Sequence, residues 1–98
     1  MAATIEDLTV RYTDDAGVET TKELDKIILS KGSWATVLYR YQDWDRSKAA
    51  YSPERYTIRR YQKRNGEYRQ QSKFNISSRA QAQALIEALQ TWLTLDSP

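Results

Sequence analysis

The stretch "RYTIRRYQKRNGEYRQQSK", residues 55–73, decides how this chain is read. Two polar-aromatic runs flank Asn65-Gly66. Asn-Gly is the strongest short hairpin signal, because both central positions of a type I′ turn need positive φ. Strands are therefore predicted over 55–64 and 67–76. The same stretch carries seven Arg or Lys, three Tyr and one Glu, so one hairpin concentrates much of the positive charge.

Toward the C-terminus, Ser78 and Gln81 match a capping box. The run "RAQAQALIEALQTWL" then places Ala82, Leu85, Ile86, Leu89 and Leu93 on one stripe at i, i+3, i+4 spacing, which predicts a helix over about 79–94. Trp92 lies on the shoulder of that stripe. Toward the N-terminus, "DRSKAAYSPE" (45–54) has no steady period and contains Pro53, so it reads as a loop. "WATVLYRYQDW" (34–44) is rich in aromatic and branched residues and reads as a strand. "KGS" (31–33) breaks the chain after "KIILS" (26–30), either a short strand or the end of the preceding one. "LTVRYT" (8–13) alternates as a strand does, "DDAG" (14–17) signals a turn, and "VETTKEL" (18–24) can return from it. Strands first and one helix last predict an α+β fold, a single domain over 1–98. Its curved antiparallel sheet of about four to six strands would pack on the C-terminal helix. Within it lie an acidic hairpin at about 5–25, a basic sheet at about 26–76 and the helix.

Composition bounds the function. With 40% hydrophobic and 29% charged residues, the chain is globular rather than disordered. It has neither His nor Cys, which removes the commonest general base, the thiol nucleophile, disulfides and nearly all zinc sites. Three glycines leave no phosphate-cradling loop. "DWD" at 43–45, with Glu54 nearby, offers carboxylates for Mg²⁺ but reads equally well as a solvated strand exit, so neither catalysis, metal nor cofactor is expected. "MAATIEDLTV" lacks the basic and apolar regions of a signal peptide, and no run is apolar enough to span a membrane; a cytoplasmic location and no membrane partner are expected. The net charge of +2 hides a division: residues 1–25 hold seven acids against two bases (−5), and residues 26–98 hold 13 bases against six acids (+7). A basic block beside an acidic arm points to a polyanion partner or to a solvated strand surface.

One helix covers one sheet face, so the other must meet solvent or a ligand. Alternation puts Tyr56, Ile58, Phe74 and Ile76 toward the helix. It puts Arg59, Tyr61, Lys63, Arg69, Gln71 and Lys73 on the open face. In 34–44, Ala35, Val37, Tyr39 and Tyr41 make the more core-like side. The opposite side would then add Arg40, Trp34 and Trp44 to the basic face, unless the two Trp simply pack. Arg with exposed aromatic rings suits single-stranded nucleic acid, whose phosphates meet cations while its bases stack.

The block "YTIRRYQKRNGEYRQQSKFNISSRAQAQALIEALQTW" (56–92) resembles the core of the single-stranded-DNA-binding transcriptional coactivators of the positive-cofactor-four type. The related strand-then-helix module of purine-rich-element-binding proteins is similar. The resemblance implies a curved sheet backed by the helix and a symmetric dimer formed partly through that helix, at Leu89, Trp92 and Leu93. It also implies single-stranded DNA or RNA laid across basic strands, with Arg59, Tyr61, Lys63, Arg69 and Lys73 as contacts. The acidic hairpin at 6–25 has no counterpart in that family, and either folds over the basic face or extends the sheet. The expectation is therefore a non-catalytic, homodimeric binder of single-stranded nucleic acid. Duplex binding through phosphates and docking of an acidic protein stay open as alternatives.

Overall fold

The structure is a computed structural model and describes residues 3–95. In chain order it contains β1 (Tyr12–Thr13), β2 (Glu19–Ser30), β3 (Trp34–Asp45), β4 (Ala50–Tyr51), β5 (Arg55–Arg64), β6 (Glu67–Ile76) and α1 (Arg79–Leu95). The fold is α+β: a curled antiparallel sheet in the order β1-β2-β3-β5-β6, with β4 paired to the end of β3 and one C-terminal helix. Asn65 (φ 51°) and Gly66 (φ 79°) both occupy the left-handed region, as a two-residue I′ turn requires. "KIILS" is the second half of β2 rather than a strand of its own. β2 skips a partner at Leu24 and again at Leu29, and β6 skips one at Gln71. Each extra residue bends its strand and increases the local twist, which curls the sheet.

The core lies on the face that carries Ala35, Val37 and Tyr39, all with no exposed surface. Pairing sets Tyr61, Arg59 and Thr57 beside those three on β5. The predicted strand at 8–13 survives only as β1; upstream of it, Ile5–Asp7 form a 3₁₀ turn. Residues 3–10 form a strap over the sheet, burying Ile5, Leu8 and Val10 in one cluster with Ala35, Val37, Tyr39, Tyr61 and Tyr68. Each such side chain is worth roughly 1.5–3 kcal/mol when taken out of water. This covered side is the strap face; the other is the helix face.

Two side chains of β2 hold the strap's backbone. Lys26 Nζ donates to the carbonyls of Glu6 and Leu8 at 2.7 Å each and to that of Ile5 at 3.5 Å. Its three protons thus meet three acceptors, which lets an ammonium lie beside an apolar cluster. Glu23 Oε1 accepts from Thr9 Oγ1 (2.6 Å) and from the Val10 N–H (3.3 Å). The acidic arm therefore supplies part of the core as well as the edge strand of the sheet.

α1 starts at the predicted Ser78 cap: the Gln81 N–H donates to Ser78 Oγ at 3.1 Å, and Gln81 Oε1 reaches one residue beyond the regular capping box to accept the Ser77 N–H at 2.9 Å. The apolar stripe does not pack as expected. No residue of α1 is buried, and only its first half, through Ala82, Leu85 and Ile86, faces Leu38, Tyr56, Ile58 and Ile76. Beyond Ile86 the helix carries Leu89, Trp92 and Leu93 into solvent.

Truncating the strap tests its place in the core. Leu8→Ala is expected to lower stability in urea unfolding by about 2–5 kcal/mol. Glu6→Ala, at an exposed side chain, is expected to stay within about 0.5 kcal/mol of the parent.

Candidate nucleic-acid interface

Register decides which cations stand together. On the strap face, Arg59 pairs with Lys73, and Lys63 pairs with Tyr68. Arg59 Nη1 donates to Gln70 Oε1 at 2.9 Å, while its Nε is buried without a partner, the one such side-chain atom found among the described residues. Lys63 Nζ lies 5.5 Å from the centre of the Tyr68 ring. Tyr68 is itself fixed by donating from its hydroxyl to the Gly32 carbonyl at 2.9 Å.

On the helix face, Trp34 pairs with Gln62, and Gln62 with Arg69. The Arg60 guanidinium covers the Trp34 ring at 4.6 Å, and Trp34 stays 41% exposed. Arg64 Nε donates to Gln62 Oε1 at 3.0 Å. The Lys63 N–H donates to the Ser33 carbonyl at 2.7 Å, tying the 31–33 turn to the Asn65-Gly66 end. Lys31, Arg60, Lys63, Arg64 and Arg69 therefore gather at one end of the sheet, where both faces meet. The opposite end carries Asp14, Asp43 and Asp45, each already engaged. Asp14 is 3.3 Å from Arg46 and Asp43 is 3.1 Å from Arg55, while Asp45 accepts from the Ser47 hydroxyl at 2.6 Å. That hydroxyl, with the amides of Ser47 and Lys48, holds the Asp45 carboxyl below its ordinary pKa despite its open position.

Cation density sets the hairpin apart: residues 55–76 hold seven Arg or Lys against one acid, Glu67. Among the described residues, Arg11, Arg40, Arg46, Arg55 and Arg69 lie within 4.0 Å of a carboxylate. On the hairpin Arg59, Arg60, Lys63, Arg64 and Lys73 have no such partner, as Lys22, Lys26, Lys31, Lys48 and Arg79 have none elsewhere among the described residues. Like charges on paired strands repel, so this row is held at a cost unless an anion meets it.

Several expected contacts lie elsewhere. Tyr61 is only 5% exposed and shares a 2.9 Å hydrogen bond with the Tyr39 hydroxyl, so it is a core residue and not a stacking ring. The extra residue at Gln71 reverses the alternation of β6, moving Arg69 to the helix face and leaving Gln71 exposed and unpaired. Arg40, Trp34 and Trp44 lie on the helix face, opposite Arg59 and Lys73, because Val37 pairs with Arg59 and Leu38 with Ile58. Arg40 is 3.6 Å from Glu54. Trp44 packs edge-on against Tyr51 with ring centres 5.1 Å apart. Arg60, Arg64 and Lys31 were not singled out from the sequence. Trp34 and Arg60 are 26 positions apart, and only the β3–β5 register brings them together.

No group of three acidic side chains placed to hold a metal ion occurs among the described residues. No described helix is long and apolar enough to cross a membrane. No protein-family model, curated protein or solved structure matches the chain.

The buried hydroxyl pair predicts an alkaline limit to stability. Burial first, and for Tyr39 the shared hydrogen bond second, raise both hydroxyls above their ordinary pKa. The folded state thus holds these protons more tightly than the unfolded chain. Their contribution is intact below about pH 10, the ordinary tyrosine value, and is lost as pH rises from there through the raised folded-state pKa. Urea midpoints should be level from about pH 7 to 9 and fall above about pH 10, with a shallower fall in Tyr39→Phe. Equal slopes in parent and variant would show that the pair does not set this limit.

Proposed function

We propose that this chain is a non-catalytic, homodimeric protein that binds single-stranded DNA or RNA at the basic end of the sheet. The row of five hairpin cations without a carboxylate partner carries this reading. In it, Arg59 and Lys73 on one face, and Arg60, Lys63 and Arg64 at the tip, neutralise phosphates. Trp34 offers the aromatic surface, 41% exposed with the Arg60 guanidinium 4.6 Å from its ring centre. An unpaired base stacks on such a ring, whereas a base inside a duplex cannot reach it, so the ring favours single strands. Phosphate contacts and ring stacking carry no sequence code, so binding with little sequence preference follows. The resemblance of 56–92 to single-stranded-DNA-binding coactivators supports the same reading and the two-copy state, and with it a role in transcriptional regulation.

Fluorescence anisotropy with a labelled ~20-mer oligo-dT at two salt concentrations tests it, with a matched duplex as competitor. Tight, salt-sensitive binding that the duplex does not displace is expected. Lys63→Ala and Arg60→Ala should each weaken binding to all sequences and make the log–log salt slope shallower by about 0.7. Trp34→Ala should cost about 1–3 kcal/mol and abolish the quenching of Trp fluorescence by oligo-dT. Absence of binding at low salt would remove the nucleic-acid reading and leave an acidic protein as the partner of the cation row.

A further inference from the structure

The first half of α1 crosses the sheet without closing on it and leaves a groove of about 360 Å³. The walls are apolar: Leu38, Ile58 and Ile76 on the sheet side, Ala82, Leu85 and Ile86 on the helix side. Interiors of folded proteins pack as tightly as organic crystals, so facing apolar walls this far apart have room for an occupant. The volume falls within the ~300–1,000 Å³ range of small-molecule sites. It is smaller than one turn of an α-helix with its side chains, which fills on the order of 400 Å³. A slim apolar chain fits where a folded segment of protein does not.

The groove is also charged at one end. Arg79 and Gln83, one turn apart on α1, line it together with the apolar walls, and no acidic side chain among the described residues does. Arg79 has no carboxylate within 4.0 Å among the described residues. The first turn of α1 carries no acidic side chain, so the positive end of the helix dipole is unmatched at the same place. Arg79 and Ile86 are seven residues apart, about 10 Å along the helix. A cation therefore stands at the head of an apolar groove about as long as a medium alkyl chain.

We infer that this groove binds a free, straight-chain carboxylate of medium length, a fatty acid such as decanoate. The carboxylate accepts hydrogen bonds from the Arg79 guanidinium, whose planar fork suits a two-oxygen acceptor, and from the Gln83 amide. The alkyl chain runs from there between Leu38 and Ile58 on one side and Leu85 and Ile86 on the other. Each methylene taken out of water raises the affinity about fourfold, so the chain supplies most of the binding and Arg79 the preference for an acid. The site shares no residue with the cation row at the hairpin tip, nor with Leu89, Trp92 and Leu93. It goes beyond the nucleic-acid reading and does not depend on it.

The test is an assigned ¹H–¹⁵N NMR titration of the full chain with hexanoate, octanoate and decanoate, each below its micellar concentration, and with neutral decanol. Decanoate should shift the amides of residues 56–58 and 79–86 saturably and leave those of 31–34 and 60–69 in place. Affinity should rise roughly 5–15-fold with each two-carbon step. Arg79→Gln, at an exposed side chain, should weaken decanoate about tenfold and leave decanol unchanged. Ala82→Phe, which fills the groove from its helix wall, should abolish binding of both while the far-ultraviolet circular dichroism keeps its helical signal. No saturable shift, equal decanoate affinity in the parent and Arg79→Gln, or shifts confined to the hairpin tip would each overturn the site. Shifts of amides 79–86 on diluting the chain without ligand would assign the groove to a second copy and overturn it as well.

Discussion

One-sided burial of β3 is the constraint on which the rest of the molecule depends. Ala35, Val37 and Tyr39 are fully enclosed, and the strap of residues 3–10 encloses them. Once that side is closed, every strand paired to β3 inherits a face. Thr57, Arg59 and Tyr61 fall on the strap side, while Tyr56, Ile58 and Arg60 fall on the helix side. The acidic arm is therefore structural before it is anything else: Glu23 and Lys26 spend their charges on the strap's backbone.

The core assignment also determines where a ligand can act. A broad, open aromatic sheet is ruled out because Tyr39, Tyr61 and Tyr68 belong to the core. What stays accessible is the rim of the strap face and the end where the 31–33 and Asn65-Gly66 turns meet. Asp14 and Asp43 pair with Arg46 and Arg55 at the far end, while Arg59, Arg60, Lys63, Arg64 and Lys73 of the hairpin have no carboxylate within 4.0 Å among the described residues. The helix face has a different chemistry, apolar and unfilled. The chain thus has two distinct surfaces, a cationic tip and an open apolar side.

The sequence made local features legible. Asn65-Gly66 specified a turn, Ser78 and Gln81 a helix start, and the density of aromatic and branched residues from 34 to 44 a central strand. These signals depend on neighbours within a few residues. The errors arose where a distant partner decides. A single extra residue at Gln71 reverses the alternation of β6, and no local pattern marks it, because Gln70 and Gln71 are identical in type. Tyr61 looks like a ligand-facing ring in its own strand and becomes core only because Ile5 and Leu8, more than 50 positions away, fold over it. Arg69 and Trp34 were expected beside Arg59, and the register puts both on the other side of the sheet. The stripe on α1 was legible as apolar, but not that its second half would project beyond the sheet.

The strap face is core, and the proposed nucleic-acid surface is the tip. An assigned ¹H–¹⁵N NMR titration with oligo-dT tests it most directly. Shifts are expected to concentrate in the amides of residues 31–34 and 60–69, with those of Leu8, Val37 and Tyr39 unmoved. Shifts centred on residues 5–10 and 37–41, with the tip unmoved, would mean that the strap yields to the ligand and would contradict the account.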